Sequence, residues 1–182
     1  KKISVSGDKS ISIRWVLFAS LASGLSKAQN LLISEDVMTA INAVRKFGIK
    51  VFLKGNFCKI YGNGVNGFKF SDDLILNAEN SGTLGRLILG FLVNAPKPIK
   101  LVGDKSLSKR DFKRVSDPLS KFGTIIKLKS KKYLPLVIQG SDKLKPISYS
   151  EKKGSAQCKS SVIFAGLRTE GNTILKAKKS RN

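Results

Sequence analysis

The hydrophobic stretch Val16-Leu17-Phe18-Ala19-Ser20-Leu21 occurs again 146 positions later, as Val162-Ile163-Phe164-Ala165-Gly166-Leu167. A third version, Arg86-Leu87-Ile88-Leu89-Gly90-Phe91-Leu92, lies about midway between them. Self-similarity at a fixed period is typical of a structure built from repeated units. The spacing indicates a repeat of about 73–75 residues, with one hydrophobic helix in each copy.

Two further pairs of short stretches support this period. Lys46-Phe47-Gly48 recurs as Lys121-Phe122-Gly123, 75 positions later, and Ile60-Tyr61-Gly62 aligns with Ile138-Gln139-Gly140, 78 positions later. Three landmarks at similar offsets are more than chance similarity would give. We expect repeat 1 over about residues 8–68, repeat 2 over about 69–141 and part of a third repeat over about 142–182.

The sequence of each copy predicts the same order of helices and strands. A polar turn at Ser10, Ser81 or Ser155 opens a hydrophobic helix of about 12–15 residues, because Ser and Asp side chains cap free backbone N–H groups. An amphipathic helix follows, over Glu35–Phe47 in copy one and Lys109–Phe122 in copy two. Two strands then close each complete unit, and the predicted strands are Lys50–Leu53, Cys58–Tyr61, Thr124–Leu128 and Leu134–Ile138. The pattern predicts an α/β fold of repeated β-α-β-α-β-β units, two complete copies and part of a third.

The formal net charge of +22 over 182 residues raises the question of an anionic partner. The cations are spread along the chain and alternate with apolar residues, as in Ile125–Lys129, which is typical of a solvated face. Such an excess still favours anionic small molecules by electrostatic steering. A basic nucleic-acid-binding protein is an alternative, and it predicts exposed aromatic platforms on a basic face. Because Phe18 and Phe164 lie inside apolar helices, we expect no nucleic-acid partner.

Composition and spacing argue against several other classes. The longest apolar stretch, Leu87–Val93, is far shorter than the roughly 20 residues of a membrane span, so we expect no membrane partner. Residues 3–7 predict a strand and a turn rather than a signal peptide. The absence of His excludes a His-based metal site or a Ser/His triad within these residues. Cys58 and Cys158 have no metal or redox spacing and favour a reducing, cytoplasmic compartment.

The starts of the three hydrophobic helices share a feature that helix capping does not require. Each combines small polar residues with a cation about one turn later, in the segments Gly7–Arg14, Asn80–Arg86 and Gly154–Lys159. A helix N-terminus offers unpaired N–H groups and a partial positive charge, which suit phosphate or carboxylate. Gly82 also lets a ligand approach the backbone closely. Ordinary capping explains each Ser by itself, but three such turns on equivalent repeats indicate anion binding.

These turns also resemble the motifs of a known family, the EPSP synthases. Gly7–Arg14 resembles the family's G-[DS]-K-S-x-S-x-R, and Asn80–Arg86 resembles its N-[AS]-G-T-x-x-R. Leu101–Arg110 is similar to its L-x-G-[DE] loop ending in Arg, and Ser155–Ser160 to its S-A-Q-x-K-S. The motifs follow the family's order along the whole chain, and Lys179–Asn182 is similar to the start of a further segment. The resemblance implies the enolpyruvyl transferase (EPT/RTPC-like) fold.

The resemblance also implies an activity. The family transfers the enolpyruvyl group of phosphoenolpyruvate to shikimate 3-phosphate, releases phosphate and needs no metal or other cofactor. Its motifs place Lys9 and Gln157 against both substrates, Ser10, Arg14, Ser155, Ala156 and Ser180 at shikimate 3-phosphate, and Gly82 and Arg110 at phosphoenolpyruvate. The family's proton-transfer carboxylates belong to the carboxy-terminal half, so no residue here is assigned a catalytic role. We expect the amino-terminal part of a longer enzyme, inactive alone and monomeric at full length.

A few positions depart from the family pattern. Asp111 follows Arg110 where Pro is common, which can make the orientation of the Arg110 side chain less fixed.

The sister family, UDP-N-acetylglucosamine enolpyruvyl transferase, is a second alternative. It normally has Asn where this chain has Ser10, and it commonly carries a reactive Cys on the loop that here runs over Pro96–Asp111 without one.

Overall fold

The chain forms two units, unit A up to Lys69 and unit B from Phe70 onward. A computed structural model describes residues 3 and 5–177. Unit A contains helix α1 (Lys9–Leu21), strand β1 (Ser23–Ala28), helix α2 (Glu35–Lys46) and strands β2 (Lys50–Lys54) and β3 (Phe57–Asn63). Unit B contains β4 (Ile75–Asn77), α3 (Gly82–Phe91), β5 (Ile99–Val102), a 3₁₀ turn (Leu107–Lys109), α4 (Lys113–Ser120), β6 (Ile125–Lys129), β7 (Tyr133–Gln139), β8 (Ser148–Glu151), α5 (Ala156–Gly166) and β9 (Ile174–Ala177).

Unit A packs two helices against one side of a sheet. Its three strands are antiparallel in the order β1-β3-β2. Because side chains alternate between the faces of a strand, Cys58 and Ile60 of β3 are fully buried while Tyr61 is exposed. Helix α2 buries Val37, Ile41 and Val44, with the residue Phe47 just after it. All are fully buried, so the predicted amphipathic spacing is confirmed.

Unit B has a larger sheet and a pair of packed helices. Its four-stranded sheet has the order β4-β5-β7-β6, with β4 and β5 parallel and the other pairs antiparallel. The strands β8 and β9 form a separate parallel pair on either side of α5 in the chain. All ten residues of α3 are buried, and this helix packs against α5. A helix that is buried on every side is a central core element.

The repeated sequence landmarks have the same structural roles in both units. Phe47 and Phe122 follow α2 and α4 and are fully buried. The glycines that come next, Gly48 and Gly123, have φ angles of 79° and 105°, which other residues rarely adopt. Each Lys-Phe-Gly landmark therefore ends an amphipathic helix and turns the chain into the following strand.

The second glycine landmark reflects close backbone contact. A Cβ on Gly62 would lie 2.2 Å from the backbone oxygen of Ala22, and one on Gly140 would lie 2.1 Å from the backbone nitrogen of Ala95. Ala22 and Ala95 follow the ends of α1 and α3. A glycine at the end of β3 and another directly after β7 therefore let these strands pass directly against the hydrophobic helices α1 and α3.

The structure differs from the sequence prediction at the start of unit A and at the second helix of unit B, and α3 and α5, with 10 and 11 residues, are shorter than the predicted length of about 12–15. Residues 3 and 5–8 form no strand, although a strand was predicted there. The second helix of unit B begins at Lys113 rather than at Lys109, because Arg110 adopts an extended conformation and the Phe112 N–H donates to the backbone oxygen of Lys132. The repeat boundaries near residues 69 and 142 stay a prediction.

Candidate anion-binding site

The first of the predicted turns lies at the start of α1. Asp8 caps this helix by accepting a hydrogen bond from a first-turn N–H at 2.7 Å, so the helix begins at Lys9 rather than at Ser10. Lys9 Nζ lies 2.8 Å from Asp36 Oδ2, yet the Lys9 side chain is still 52% exposed. Arg14 Nη1 donates to the backbone oxygen of Ser10 at 3.1 Å. Three predicted site residues thus lie near the start of one helix, and Lys9 is accessible to a ligand.

The second turn brings two arginines onto a glycine. Ser81 caps α3 by accepting a hydrogen bond from the Leu84 N–H at 3.3 Å, and Gly82 is the first helical residue. A Cβ on Gly82 would lie 2.8 Å from Arg86 Nη1 and 3.2 Å from Arg110 Nη1. The free N-terminus of α3 and two guanidinium groups therefore converge on a position without a side chain. Such a convergence suits the oxygens of a phosphate or carboxylate.

A chain of hydrogen bonds aims Arg110. Its Nη2 donates to Asn80 Oδ1 at 3.0 Å and to Ser106 Oγ at 3.3 Å. Asn80 Nδ2 donates in turn to Asp104 Oδ2 at 2.6 Å, and the Leu107 N–H donates to Asp104 Oδ1 at 2.6 Å. These hydrogen bonds lower the pKa of the Asp104 carboxyl, and the hydrogen bond from the Leu107 N–H has the largest effect. A charged carboxylate thus anchors the loop that orients Arg110.

Arg86 also belongs to this site, although its motif marks it only as a cation and assigns it to no substrate. It is only 3% exposed, and its guanidinium group lies 4.9 Å from the centre of the Phe112 ring. Nη1 donates to Gln157 Oε1 at 2.7 Å and to the backbone oxygen of Gly82 at 3.3 Å, and Nη2 donates to the backbone oxygen of Asp111 at 3.3 Å. A single charge inside an otherwise apolar helix is the sequence signal that marks it.

Burial also lowers the pKa of Arg86. It is the main reason that the pKa of this guanidinium falls to about 10, and the neighbouring charges of Arg114 and Arg110 lower it further. The group is still protonated at neutral pH. Arg86, Arg110 and Arg114 therefore create a local excess of positive charge, which an anionic ligand would offset.

The third turn opens α5. Ser155 Oγ accepts a hydrogen bond from the Cys158 N–H at 3.3 Å, and the Ser155 N–H donates to Glu151 Oε2 at 3.0 Å. Glu151 is 3% exposed, so its carboxylate serves to hold this turn. Gln157 Oε1 faces Arg86, and Gln157 Nε2 donates to Thr83 Oγ1 at 3.2 Å. The starts of α3 and α5 are therefore directly connected.

A cavity of about 490 Å³ borders the start of α5. Its lining includes Ser155, Ala156 and Gln157, together with the cations Arg114, Lys153 and Lys159. Its lining in the described part of the chain includes no carboxylate. The volume is within the range of small-molecule sites, about 300–1,000 Å³. The remaining predicted site residue, Ser180, lies outside the described residues.

Residues 3 and 5–177 contain no metal-ligand cluster and no membrane-spanning helix. Within these residues, no group of three or more His, Cys, Asp or Glu side chains could hold a metal ion. Over the same residues, no helix has both the length and the apolar character needed to cross a membrane.

The fold is α/β, and cations lie beside the N-termini of its helices, an arrangement that suits small anions. Comparison with known proteins is more specific. Residues 1–181 match the family EPSP synthase (3-phosphoshikimate 1-carboxyvinyltransferase), and the chain belongs to this family. It is similar to two proteins named 3-phosphoshikimate 1-carboxyvinyltransferase. It is 41% identical to the one from Bacillus cytotoxicus over 95% of this chain and 41% of that protein. It is also 41% identical to the one from Streptococcus mutans over 99% of this chain and 42% of that protein.

Solved structures agree with this family. A structure of EPSP synthase from Acinetobacter baumannii covers 100% of this chain with a TM-score of 0.93 and 34% sequence identity, and 41% of that protein is matched. The predicted α/β fold of the enolpyruvyl transferases is thereby confirmed. The comparisons favour neither the sister family nor a nucleic-acid-binding protein. The chain spans about two fifths of the length of the relatives that it matches.

Proposed function

We propose that this chain is the amino-terminal part of an enzyme that transfers the enolpyruvyl group of phosphoenolpyruvate to shikimate 3-phosphate. The products are 5-enolpyruvylshikimate 3-phosphate and phosphate. The observation that carries the proposal is the convergence of Arg86 and Arg110 on Gly82, with Gln157 hydrogen-bonded to Arg86. Membership of the EPSP synthase family supplies the identity of the two anions.

The phosphoenolpyruvate part of the site is assigned to the start of α3. The Gly82 backbone N–H and the guanidinium group of Arg110 would bind its negatively charged groups. An Arg offers two parallel N–H groups that match two oxygens of a carboxylate or phosphate. Asn80 and Ser106 support this role, because they hold Nη2 of Arg110 while Nη1 lies beside Gly82.

The shikimate 3-phosphate part of the site in unit B is assigned to the start of α5. Ser155 and Ala156 line the cavity at the start of α5, and Gln157 lies between this cavity and the α3 turn. Four further residues are assigned through their motifs alone: Ser10, Arg14 and Ser180 to shikimate 3-phosphate, and Lys9 to both substrates.

The assigned residues bind and orient substrates, but none of them is placed to transfer a proton. The carboxylates near the turns have other roles, because Asp104 and Glu151 accept backbone N–H groups and Asp36 pairs with Lys9. General acid–base catalysis typically contributes about 10²–10⁴-fold in rate. We therefore propose that the 182-residue chain alone has no measurable turnover. A monomeric full-length enzyme in the cytoplasm is part of the same proposal, and both thiols are free.

Phosphate release tests the activity. The assay measures release from phosphoenolpyruvate with and without shikimate 3-phosphate, first for this chain and then for the chain joined to the carboxy-terminal half of a relative such as the Acinetobacter baumannii enzyme. We expect release only from the joined protein and only with both substrates. Robust release by the chain alone would show that the proton-transfer groups lie within it.

Calorimetry tests the binding assignment. Shikimate 3-phosphate should bind to this chain, and Arg14→Ala should weaken binding by about tenfold or more, because hydrogen bonds to charged groups are strong. Arg45→Ala removes an equal charge outside the three turns and should change the affinity less than twofold. Equal affinities of the wild type and Arg14→Ala would remove Arg14 from the site.

A further inference from the structure

Arg86 is an unusual residue for the position that it occupies. It lies in the middle of a helix whose ten residues are all buried, and its own side chain is 3% exposed. Burying a guanidinium group is costly unless its charge is compensated. Among the described residues, its hydrogen-bond acceptors are one side-chain amide and two backbone carbonyls, and no carboxylate pairs with it. Its Nε is buried without a partner in that part of the chain.

These contacts determine the orientation of the Gln157 amide. An Arg has only donors, so the group that faces Nη1 at 2.7 Å must be the carbonyl oxygen of Gln157. The amide nitrogen is then on the other side and donates one hydrogen to Thr83 Oγ1 at 3.2 Å. An amide nitrogen carries two hydrogens, so one N–H of Gln157 is still available. Gln157 also lines the cavity at the start of α5.

The backbone around Arg86 makes this arrangement rigid. The Ser161 hydroxyl of α5 donates to the backbone oxygen of Arg86 at 3.0 Å, so α5 is bonded to both the main chain and the side chain of this residue. Close packing of α3 on α5 at Gly90 restricts relative movement, because a Cβ there would lie 2.3 Å from the Ser161 backbone oxygen. A rotation of the Gln157 amide would therefore have to break its bond to Arg86 without compensation from a shift of the helices.

We propose that Arg86 is a positioning residue: it fixes the side-chain amide of Gln157 so that an N–H donor, and not the carbonyl oxygen, is presented to an anionic ligand. The role of the donor rests on the proposed function, whereas the orientation of the amide does not. Presenting a donor suits an anion, and the opposite orientation would place an acceptor against negative charge. Arg86 thereby links the α3 turn to the α5 turn.

Nuclear magnetic resonance of the side-chain amides tests the orientation without a ligand. The chain contains three glutamines, Gln29, Gln139 and Gln157, so selective ¹⁵N-glutamine labelling gives three amide pairs. Gln29 and Gln139 are exposed and serve as internal references. In the wild type, the Gln157 pair should be shifted from the references, and the N–H that donates to Thr83 should exchange slowly with water. Arg86→Met keeps an unbranched apolar stem and removes the donors, so exchange of this N–H with water should accelerate about tenfold or more.

Arg45→Met is the matched control, because it removes an equal charge from α2, where Arg45 donates to Asn42 and to the backbone oxygen of Val51. It should leave the Gln157 pair unchanged. If the wild-type Gln157 pair already has the chemical shifts and exchange rates of Gln29 and Gln139, Arg86 does not orient the amide. The same conclusion follows if Arg86→Met leaves these values unchanged.

A second variant covers the case in which Arg86→Met does not fold. Gln157→Glu would place a carboxylate against Arg86, and this carboxyl group should titrate well below the usual value of about 4.3. A pKa near 4.3 for this carboxyl group would overturn the proposal.

Calorimetry with shikimate 3-phosphate then separates this inference from the proposed function. Arg86→Met should bind about tenfold more weakly than the wild type at a similar melting temperature. If the wild type does not bind this compound, the assigned ligand is wrong, and the amide spectra still decide the role of Arg86. If the spectra change as expected but the wild type and Arg86→Met bind equally well, Gln157 is oriented for no ligand and the proposal fails.

Discussion

Replacing Gly82 with Ala places a methyl group at the point where the two arginines of the candidate site converge. The new Cβ would lie 2.8 Å from Arg86 Nη1, whereas ordinary contacts begin at 3.4 Å, so Nη1 has to move by about 0.6 Å. Arg86 is buried, and Nη1 is held by Gln157 at 2.7 Å. Moving Nη1 away would stretch that hydrogen bond by at most about 0.6 Å, to about 3.3 Å, at the usual limit of about 3.2 Å.

The effect on stability should be small, because two terms oppose each other. Ala is a better helix former than Gly by up to about 1 kcal/mol. Weakening a hydrogen bond to a charged group costs a part of its net value of about 1.5–3 kcal/mol. The unfolding free energy of Gly82→Ala should therefore fall by about 1 kcal/mol or less, which for a protein of this size lowers the melting temperature by about 2–4 °C.

The effect on ligand binding should be larger. In the proposed function the Gly82 N–H binds phosphoenolpyruvate, and the methyl group would occupy the approach to it. We expect at least about tenfold weaker binding, measured by titrating the ¹⁵N-labelled chain with phosphoenolpyruvate. Gly85→Ala is the control on the same helix, since its Cβ would meet Ala78 and Phe112 at 3.3 Å and neither of the arginines. The affinity of Gly85→Ala for phosphoenolpyruvate should stay within about twofold of the wild-type value. Equal binding by Gly82→Ala and wild type would refute the assignment of Gly82.

Three other expectations follow from the geometry. Gly90→Ala should lower the unfolding free energy in urea by about 2 kcal/mol or more, because its Cβ would overlap a backbone oxygen of α5 at 2.3 Å; an unchanged midpoint would contradict the close packing. The pKa of Asp104 is lowered, so its stabilising contribution is present above about pH 4 and is lost as the pH falls through its lower folded value. Asp104→Asn should make the loss of stability below about pH 4 shallower in urea unfolding, and an equal slope would show that the Asp104 carboxylate forms no stabilising hydrogen bonds. Burial raises the pKa of Cys58 and of Cys158, so at pH 8 both thiols should react with Ellman's reagent about tenfold or more slowly in the folded chain than in denaturant. Similar rates in both states would contradict their burial.

Local sequence patterns predicted most of the helices and strands in this chain. The spacing of Val37, Ile41 and Val44 places one apolar face on α2, and this face is fully buried. Three of the four predicted closing strands lie within the observed ones, and the fourth begins one residue early, at Thr124. The capping signal was less accurate at α1, where the cap is Asp8 and not Ser10. Both residues are polar and two positions apart, so local sequence does not distinguish them well.

The candidate site was only partly predictable. Motif resemblance selected Gly82, Arg110 and Gln157, which the structure places close to Arg86. It did not indicate that Arg86 is their common neighbour. The late start of α4 was also missed, because it depends on a hydrogen bond between Phe112 and the distant Lys132.

The sequence by itself determined the period of the repeat, the helices and strands within it, the polar turns that open its hydrophobic helices, and the family. All of these depend on residues within a few positions of one another or on patterns that recur along the chain. The tertiary structure alone decided which turns meet and how their side chains are oriented. Arg86 and Gln157 are 71 positions apart, and their contact exists because α3 and α5 pack closely at Gly90. A hydrogen bond of this kind depends on the distance between two packed helices, and no local pattern contains that distance.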